Sequence, residues 1–148
     1  YRETLLNEAK GYTKFIEGDL IWARITPCMQ NGKSAIVRNL KNNLGCGSTE
    51  YHVIRNTNPE IDLEYIYHIL RLNSVLKKAM SYFTGSAGQQ RVPKYFLEDL
   101  LIPVPPYDIQ KNISEKINSL KNMKKQKQFY ASNLKKEAQQ EFENKIFK

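Results

Sequence analysis

From Asp108 to Lys148 the chain contains neither glycine nor proline, and this stretch limits the fold more than any other. Ile109, Ile113, Ile117, Leu120 and Met123 recur along it at steps of three and four. After a lysine- and glutamine-rich gap at residues 124–128, Tyr130, Leu134, Ala138, Phe142 and Ile146 continue at steps of four. Such spacing puts apolar side chains on one face of a helix. At 1.5 Å rise per residue the helix is about 60 Å long. Residues 1–107 make too small a domain to cover that stripe. The pattern therefore predicts a packing partner, most simply in an antiparallel coiled coil. The positions expected to carry it are Ile113, Ile117, Leu120, Tyr130, Leu134 and Phe142. The polar gap and the step of four depart from a strict heptad.

The formal net charge is +8, and ten lysines against five acidic residues fall within residues 108–148. A basic excess favours polyanions such as nucleic acid. A solvated helix face accounts for the tail equally well. The full chain is 41% hydrophobic, enough for one core over residues 1–107 with the helix as an appendage. No run of eighteen apolar residues is present and the first residues are polar, so neither a transmembrane helix nor a signal peptide is expected. Tyr1 in place of Met predicts a fragment or a processed chain. Cys28 and Cys46 form no CxxC pair and have no clustered histidines, so no metal site is expected. Free thiols in a reducing cytoplasm are the expectation, and a disulfide between the two stays open.

Taken in order, residues 1–14 read as a short helix ended by Gly11. Residues 20–25 read as an apolar strand. Asn31-Gly32 signals a type I′ hairpin turn, with residues 34–38 as the return strand. A third strand is expected over residues 45–54, its leading glycines marking a bulge or a close backbone approach. Together these predict an antiparallel meander. Asn58-Pro59 opens a helical region, and Ser74 is placed as the cap of a second helix. One or two helical turns follow Pro93, and residues 101–105 are extended, with prolines that permit at most an edge strand. The fold class is α+β: mixed antiparallel strands and helices over residues 1–107, then the long helix over residues 108–148.

Candidate chemistry is sparse. His52 and His68 lie in strand and helix patterns, without a triad partner. Asp19, Glu98 and Asp99 sit where turn and helix-end charges are ordinary. No phosphate-cradling glycine motif is present. Pro105-Pro106-Tyr107 resembles the tail of an amino-methyltransferase tetrapeptide, but Val104 stands where Asn or Asp must hold the amine, so that chemistry is rejected. No catalytic residue is assigned. The binding set is richer. Arg24, Thr26, Lys33, Ser48, Thr49, Gln89, Gln90, Arg91 and Lys94 bring amides, hydroxyls and cations to strand ends and loops, a mixture suited to base edges and phosphates. The loop Thr84-Gly-Ser-Ala-Gly-Gln-Gln-Arg-Val-Pro93 is its densest part, and both a structural and a DNA-contacting role are open for it. Glu50 either accepts from a cytosine amine or orients Arg24 or Arg91. Tyr51, Tyr82 and Tyr95 are expected to be half-buried, and Trp22 to be core.

Several of these segments occur in one order: Gly18-Asp-Leu-Ile-Trp-Ala-Arg-Ile-Thr-Pro-Cys28, Asn31-Gly-Lys33, Gly47-Ser-Thr-Glu-Tyr-His-Val53, Gly85-Ser-Ala-Gly-Gln-Gln-Arg-Val-Pro93, Ile102-Pro-Val-Pro-Pro106 and Gln110. The chain resembles a target recognition domain of the DNA specificity subunit of type I restriction-modification enzymes, over nearly its whole length. The resemblance implies a DNA reader over residues 1–107 and a spacer helix over residues 108–148. It implies two such readers per assembly, each for half of a bipartite site, supplied by one longer chain or by a homodimer. Double-stranded DNA, methyltransferase subunits and an endonuclease-translocase subunit are the implied partners. S-adenosylmethionine, ATP and magnesium would belong to those partner subunits and no cofactor to this chain. Family domains carry further N-terminal strands before the segment matching residues 1–11. On this reading Arg24, Thr26, Lys33, Thr49, Gln89, Gln90, Arg91 and Lys94 face DNA. The alternatives are a protein-interaction module that does not touch DNA, a silent recombination cassette, and the recognition end of a fused methyltransferase or nuclease.

Overall fold

The computed structural model describes Glu3 and residues 5–147. The chain divides into two units, Tyr1–Gln110 and Lys111–Lys148. The first is α+β. It holds β1 (Thr13–Ile16), β2 (Leu20–Ala23), β3 (Ser34–Ile36), β4 (Leu44–Gly47), β5 (Tyr51–Ile54), α1 (Leu63–Ile69), α2 (Asn73–Met80), α3 (Lys94–Glu98) and the first turn of α4 (Tyr107–Ile146).

The strands do not form a meander. All pairs are antiparallel, but they make two sheets: β1 with β4, and three strands in the order β3-β2-β5. The stretch expected as one strand over residues 45–54 breaks at residues 48–50, where the Ser48 hydroxyl accepts from the Glu50 amide at 3.1 Å. Its first half joins β1 and its second half joins the far side of β2. The expected N-terminal helix is a single 3-10 turn, Leu6–Ala9, and Thr13–Ile16 is strand instead. Tyr1, Arg2 and Thr4 from that expectation lie outside the described residues. β1 alternates, with Phe15 inward, and this ring explains the glycines opposite. A Cβ on Gly45 would collide with the Phe15 ring, and one on Gly47 would touch it. The glycines mark a close approach, as expected, with an aromatic ring covering bare backbone.

Asn31-Gly32 is not a type I′ turn. Residues 26–31 wind into one helical turn. Gly32 ends it at φ 61, donating to Met29 O at 2.8 Å, while Lys33 donates to Cys28 O at 3.0 Å. This is the Schellman pattern of a helix C-terminus, which calls for glycine at the same place. The helical region after Asn58-Pro59 begins only at Leu63, where the Asp62 carboxylate accepts from the Glu64 amide at 3.1 Å. Ser74 is not a cap: α2 begins at Asn73, with Leu72 before it, so Ser74 lies inside the helix.

Leu20, Trp22, Met29, Ala79 and Val92 are fully buried, with Phe96 and the inner faces of α1 and α2 around them. Trp22 is core as expected. Its indole lies between His52 and Phe96, at centroid distances of 6.1 and 6.3 Å, and Nε1 donates to Leu70 O at 3.4 Å. Burying each such large apolar side chain contributes about 1.5–3 kcal/mol. Asp19 is the buried charge, at 1% exposure. Its carboxylate takes a two-pronged pair of bonds from Arg55, both 2.8 Å, and accepts from the Ile16 amide at 2.8 Å. Gln110 is buried at the root of α4. Its carbonyl accepts from the Asp62 amide at 3.0 Å, and its amide donates to Glu60 O at 3.0 Å and Pro105 O at 2.7 Å.

In the second unit α4 runs unbroken through the polar gap to Ile146. Leu120, Met123, Tyr130, Leu134, Phe142 and Ile146 are all exposed, as is Phe129, which lies off the expected stripe.

Candidate functional site

The polar residues gather where β2 ends. Three segments meet the backbone there. Ala23 N–H donates to Lys33 O at 2.9 Å, Arg24 N–H donates to Glu50 O at 2.9 Å, and Arg24 O accepts from Val92 N–H at 2.8 Å. Thr26 N–H donates to Gln90 O at 2.9 Å. Residues 90–92 thus lie antiparallel to residues 24–26, which brings Arg24, Thr26, Gln90 and Arg91 to one rim. Extended, β-branched and apolar residues on both segments suit such pairing. Val92 then plugs the core below, fully buried.

The polar loop is closed at its base. Thr84 and Arg91 exchange backbone hydrogen bonds of 3.0 and 2.9 Å. Gly85 (φ 103) and Gly88 (φ 83) make the turns between, in a region of backbone space that disfavours a side chain. Residues 85–89 are exposed.

Arg91 is the most constrained cation on the rim. Its Nε reaches both oxygens of Glu50 at 3.1 and 2.9 Å, its Nη2 reaches Oε1 at 2.7 Å, and its Nη1 donates to Gln89 O at 2.7 Å. Both side chains keep part of their surface, 34% for Arg91 and 26% for Glu50. The hydrogen bonds from Arg91 hold the Glu50 carboxyl below the usual carboxylate range. Of the roles open to Glu50, orienting Arg91 is the one its geometry meets. Arg24 lies close enough to add to that effect, and its own Nε is buried with no partner among the described residues.

The remaining expected residues are dispersed around this group. The Thr26 hydroxyl donates to Gln30 Oε1 at 2.6 Å, an amide the sequence reading did not single out. Lys33 follows the Gly32 cap and is exposed. Thr49 is exposed in the turn before Glu50. Lys94 opens α3 and pairs with Glu98 at 2.6 Å, both well exposed. Of the three tyrosines, Tyr51 and Tyr82 are half-buried, but Tyr95 is exposed and lies against Tyr82 with ring centroids 6.0 Å apart. At the start of α3 its ring points off the core that Phe96 fills.

Acid-base chemistry finds little support here. Asp19 is locked to Arg55. His52 is buried, with Nε2 2.9 Å from Val92 O. Among the described residues no group of three or more His, Cys, Asp or Glu is placed to hold a metal ion. Cys28 and Cys46 are free. No helix among the described residues is long and apolar enough to cross a membrane.

Comparison with known proteins matches this sequence to one family. The profile described as the type I restriction modification DNA specificity domain matches residues 1–140. The chain is 43% identical over 114 residues to the type I restriction enzyme EcoAI specificity subunit of Escherichia coli, covering 77% of this chain and 19% of that protein. It is 45% identical over 104 residues to the EcoEI specificity subunit of the same organism, covering 70% of this chain and 18% of that protein. The chain therefore spans under a fifth of the length of these relatives.

Proposed function

This chain belongs to the type I restriction modification DNA specificity domain family, and from that premise we propose that it reads one half of a bipartite DNA site. The reader is the rim at the end of β2, and it directs methyltransferase and endonuclease-translocase subunits to the site without catalysing a step itself. S-adenosylmethionine, ATP and magnesium act on those partners, in the cytoplasm. The observation that carries this reading is the backbone pairing of residues 24–26 with residues 90–92. It ties the segment carrying Arg24 and Thr26 to the segment carrying Gln90 and Arg91, a row fixed by backbone from which successive side chains leave on opposite faces. Amides and guanidinium forks match adenine and guanine edges, and each bidentate contact discriminates by about 1–3 kcal/mol. Gln89 and Thr49 flank the row. Lys33 and Lys94 suit phosphates, which add salt-dependent affinity without sequence preference.

The apolar stripe of α4, exposed except for the half-buried Ile117, is the spacer and the assembly surface. Ile113, Ile117, Leu120, Tyr130, Leu134 and Phe142 pack in an antiparallel coiled coil, against a second spacer helix of the same protein or of a second copy.

The test is expression of the intact protein with a methyltransferase subunit, followed by mapping of adenine methylation across the host genome. A bipartite motif that needs both proteins is the expected result. A palindromic motif would assign the second half to a second copy. A complex that purifies intact but adds no methylation overturns the reading.

A further inference from the structure

We propose that Glu50 is a positioning residue for base reading, and that Glu50 and Arg91 discriminate one base pair as a unit. The proposal rests on the DNA-reading function above and goes beyond it by naming the residue that sets the aim of the guanidinium.

An arginine on a loop held by glycines has many rotamers, and each must be frozen when it grips a base. Here the freezing is done before DNA arrives. Glu50 occupies Nε and Nη2 of Arg91, and Gln89 O occupies Nη1. A guanidinium has five N–H donors in one plane, so two remain. The plane itself is fixed by the two carboxylate oxygens of Glu50. Glu50 is fixed in turn. Its backbone carbonyl holds Arg24 N–H at 2.9 Å, and its amide is bound to Ser48 at 3.1 Å. β5, which pairs with β2, begins at the next residue. Backbone bonds tie residues 90–92 to residues 24–26, and the Glu50 carboxylate extends that hold to the guanidinium itself. A lysine-like point charge at residue 91 would lack the fork. An amide at residue 50 would lose the charge and turn one acceptor into a donor facing Arg91.

The experiment uses the assembled enzyme, with its site first defined by methylation mapping. Binding is measured to that duplex and to a panel in which each recognised base pair is replaced in turn. Glu50→Gln, Arg91→Lys and the double variant are compared with wild type. The expected result is a roughly tenfold or greater loss of discrimination that falls on one base pair, the same one in all three proteins. The double variant loses no more than the more affected single one, because the two residues act as a unit. A thermal melt of each protein separates this from unfolding. If Glu50→Gln weakens all duplexes by one common factor, or shifts the melt without altering the discrimination profile, Glu50 is structural and the proposal falls. If wild type itself shows no preference across the panel, the DNA-reading function falls, and the proposal with it.

Discussion

The Nε2 of His52 donates to the backbone carbonyl of Val92, 2.9 Å away, beneath the rim that carries Arg24 and Arg91. Burial, together with the charges of Arg24 and Lys94, pushes this imidazole below its ordinary value near 6.5, against the opposing pull of Val92 O and Glu98. The unfolded chain takes up a proton near pH 6.5, and the folded chain does so only at lower pH. Stabilisation from neutral His52 is thus complete above about pH 6.5. It declines as pH drops below that value and stops declining once the folded protein protonates. Denaturant midpoints measured from pH 8 downward should show this decline, and His52→Gln should remove it while lowering stability at pH 8 by about 1 kcal/mol for the altered hydrogen bond.

Asp19 should be the most costly carboxylate to remove. Asp19→Ala leaves the Ile16 amide without its acceptor and Arg55 without its partner. Arg55 is half exposed and regains water, so the loss is expected at about 2–3 kcal/mol, below that of a fully buried pair. Hydrogen bonds from Arg55 hold the Asp19 carboxyl below its ordinary value, against the cost of burial. Its contribution is therefore present above pH 4 and lost as pH falls through the folded-state value. Urea unfolding of Asp19→Asn should lack that part of the acid limb.

Gly45→Ala should destabilise more than a surface strand substitution, by about 1–3 kcal/mol, because the new Cβ meets the buried Phe15 ring. Phe15→Ala alone costs more, about 3–5 kcal/mol. The two should fall short of additivity by about 1 kcal/mol or more, since the collision vanishes with the ring. Chemical denaturation of the four proteins of the cycle decides the matter.

Leu134→Asp combined with Phe142→Asp should abolish assembly through α4 while leaving the reading unit folded. Both side chains are exposed in the helix, so their loss removes no contact within unit Tyr1–Gln110. Sedimentation should show the assembly lost, with the near-ultraviolet circular dichroism of Trp22 preserved. An unaltered assembly would place the partner surface elsewhere.

The long helix was legible because its signal is local: no breaker, and apolar steps of three and four. The strands around Trp22, Ile36 and Val53 were legible from apolar and β-branched runs. Their pairing was not. A meander and the observed β3-β2-β5 order use the same strands, and the choice depends on the Ser48–Glu50 turn, whose residues carry no strong breaker. Asn31-Gly32 misled for a specific reason. A type I′ turn and a Schellman cap both demand a positive φ at glycine, and only the register of the preceding helical turn tells them apart. At the site, the residue types were readable as a set. That Val92 would donate to Arg24 O, and Glu50 choose Arg91 over Arg24, depends on partners forty or more positions apart. No short-range pattern encodes those choices.

The exposed loop is pinned at its base by backbone groups, through the mutual bonds of Thr84 and Arg91 and the bond from Thr26 N–H to Gln90 O. A frame secured by main chain is indifferent to which side chains it displays. Ser86, Ala87 and Gln89 can be exchanged without unfastening the loop, provided Gly85 and Gly88 keep their turns. A lineage can therefore revise what this tip presents by single substitutions, one letter at a time, while the scaffold that aims it is inherited intact.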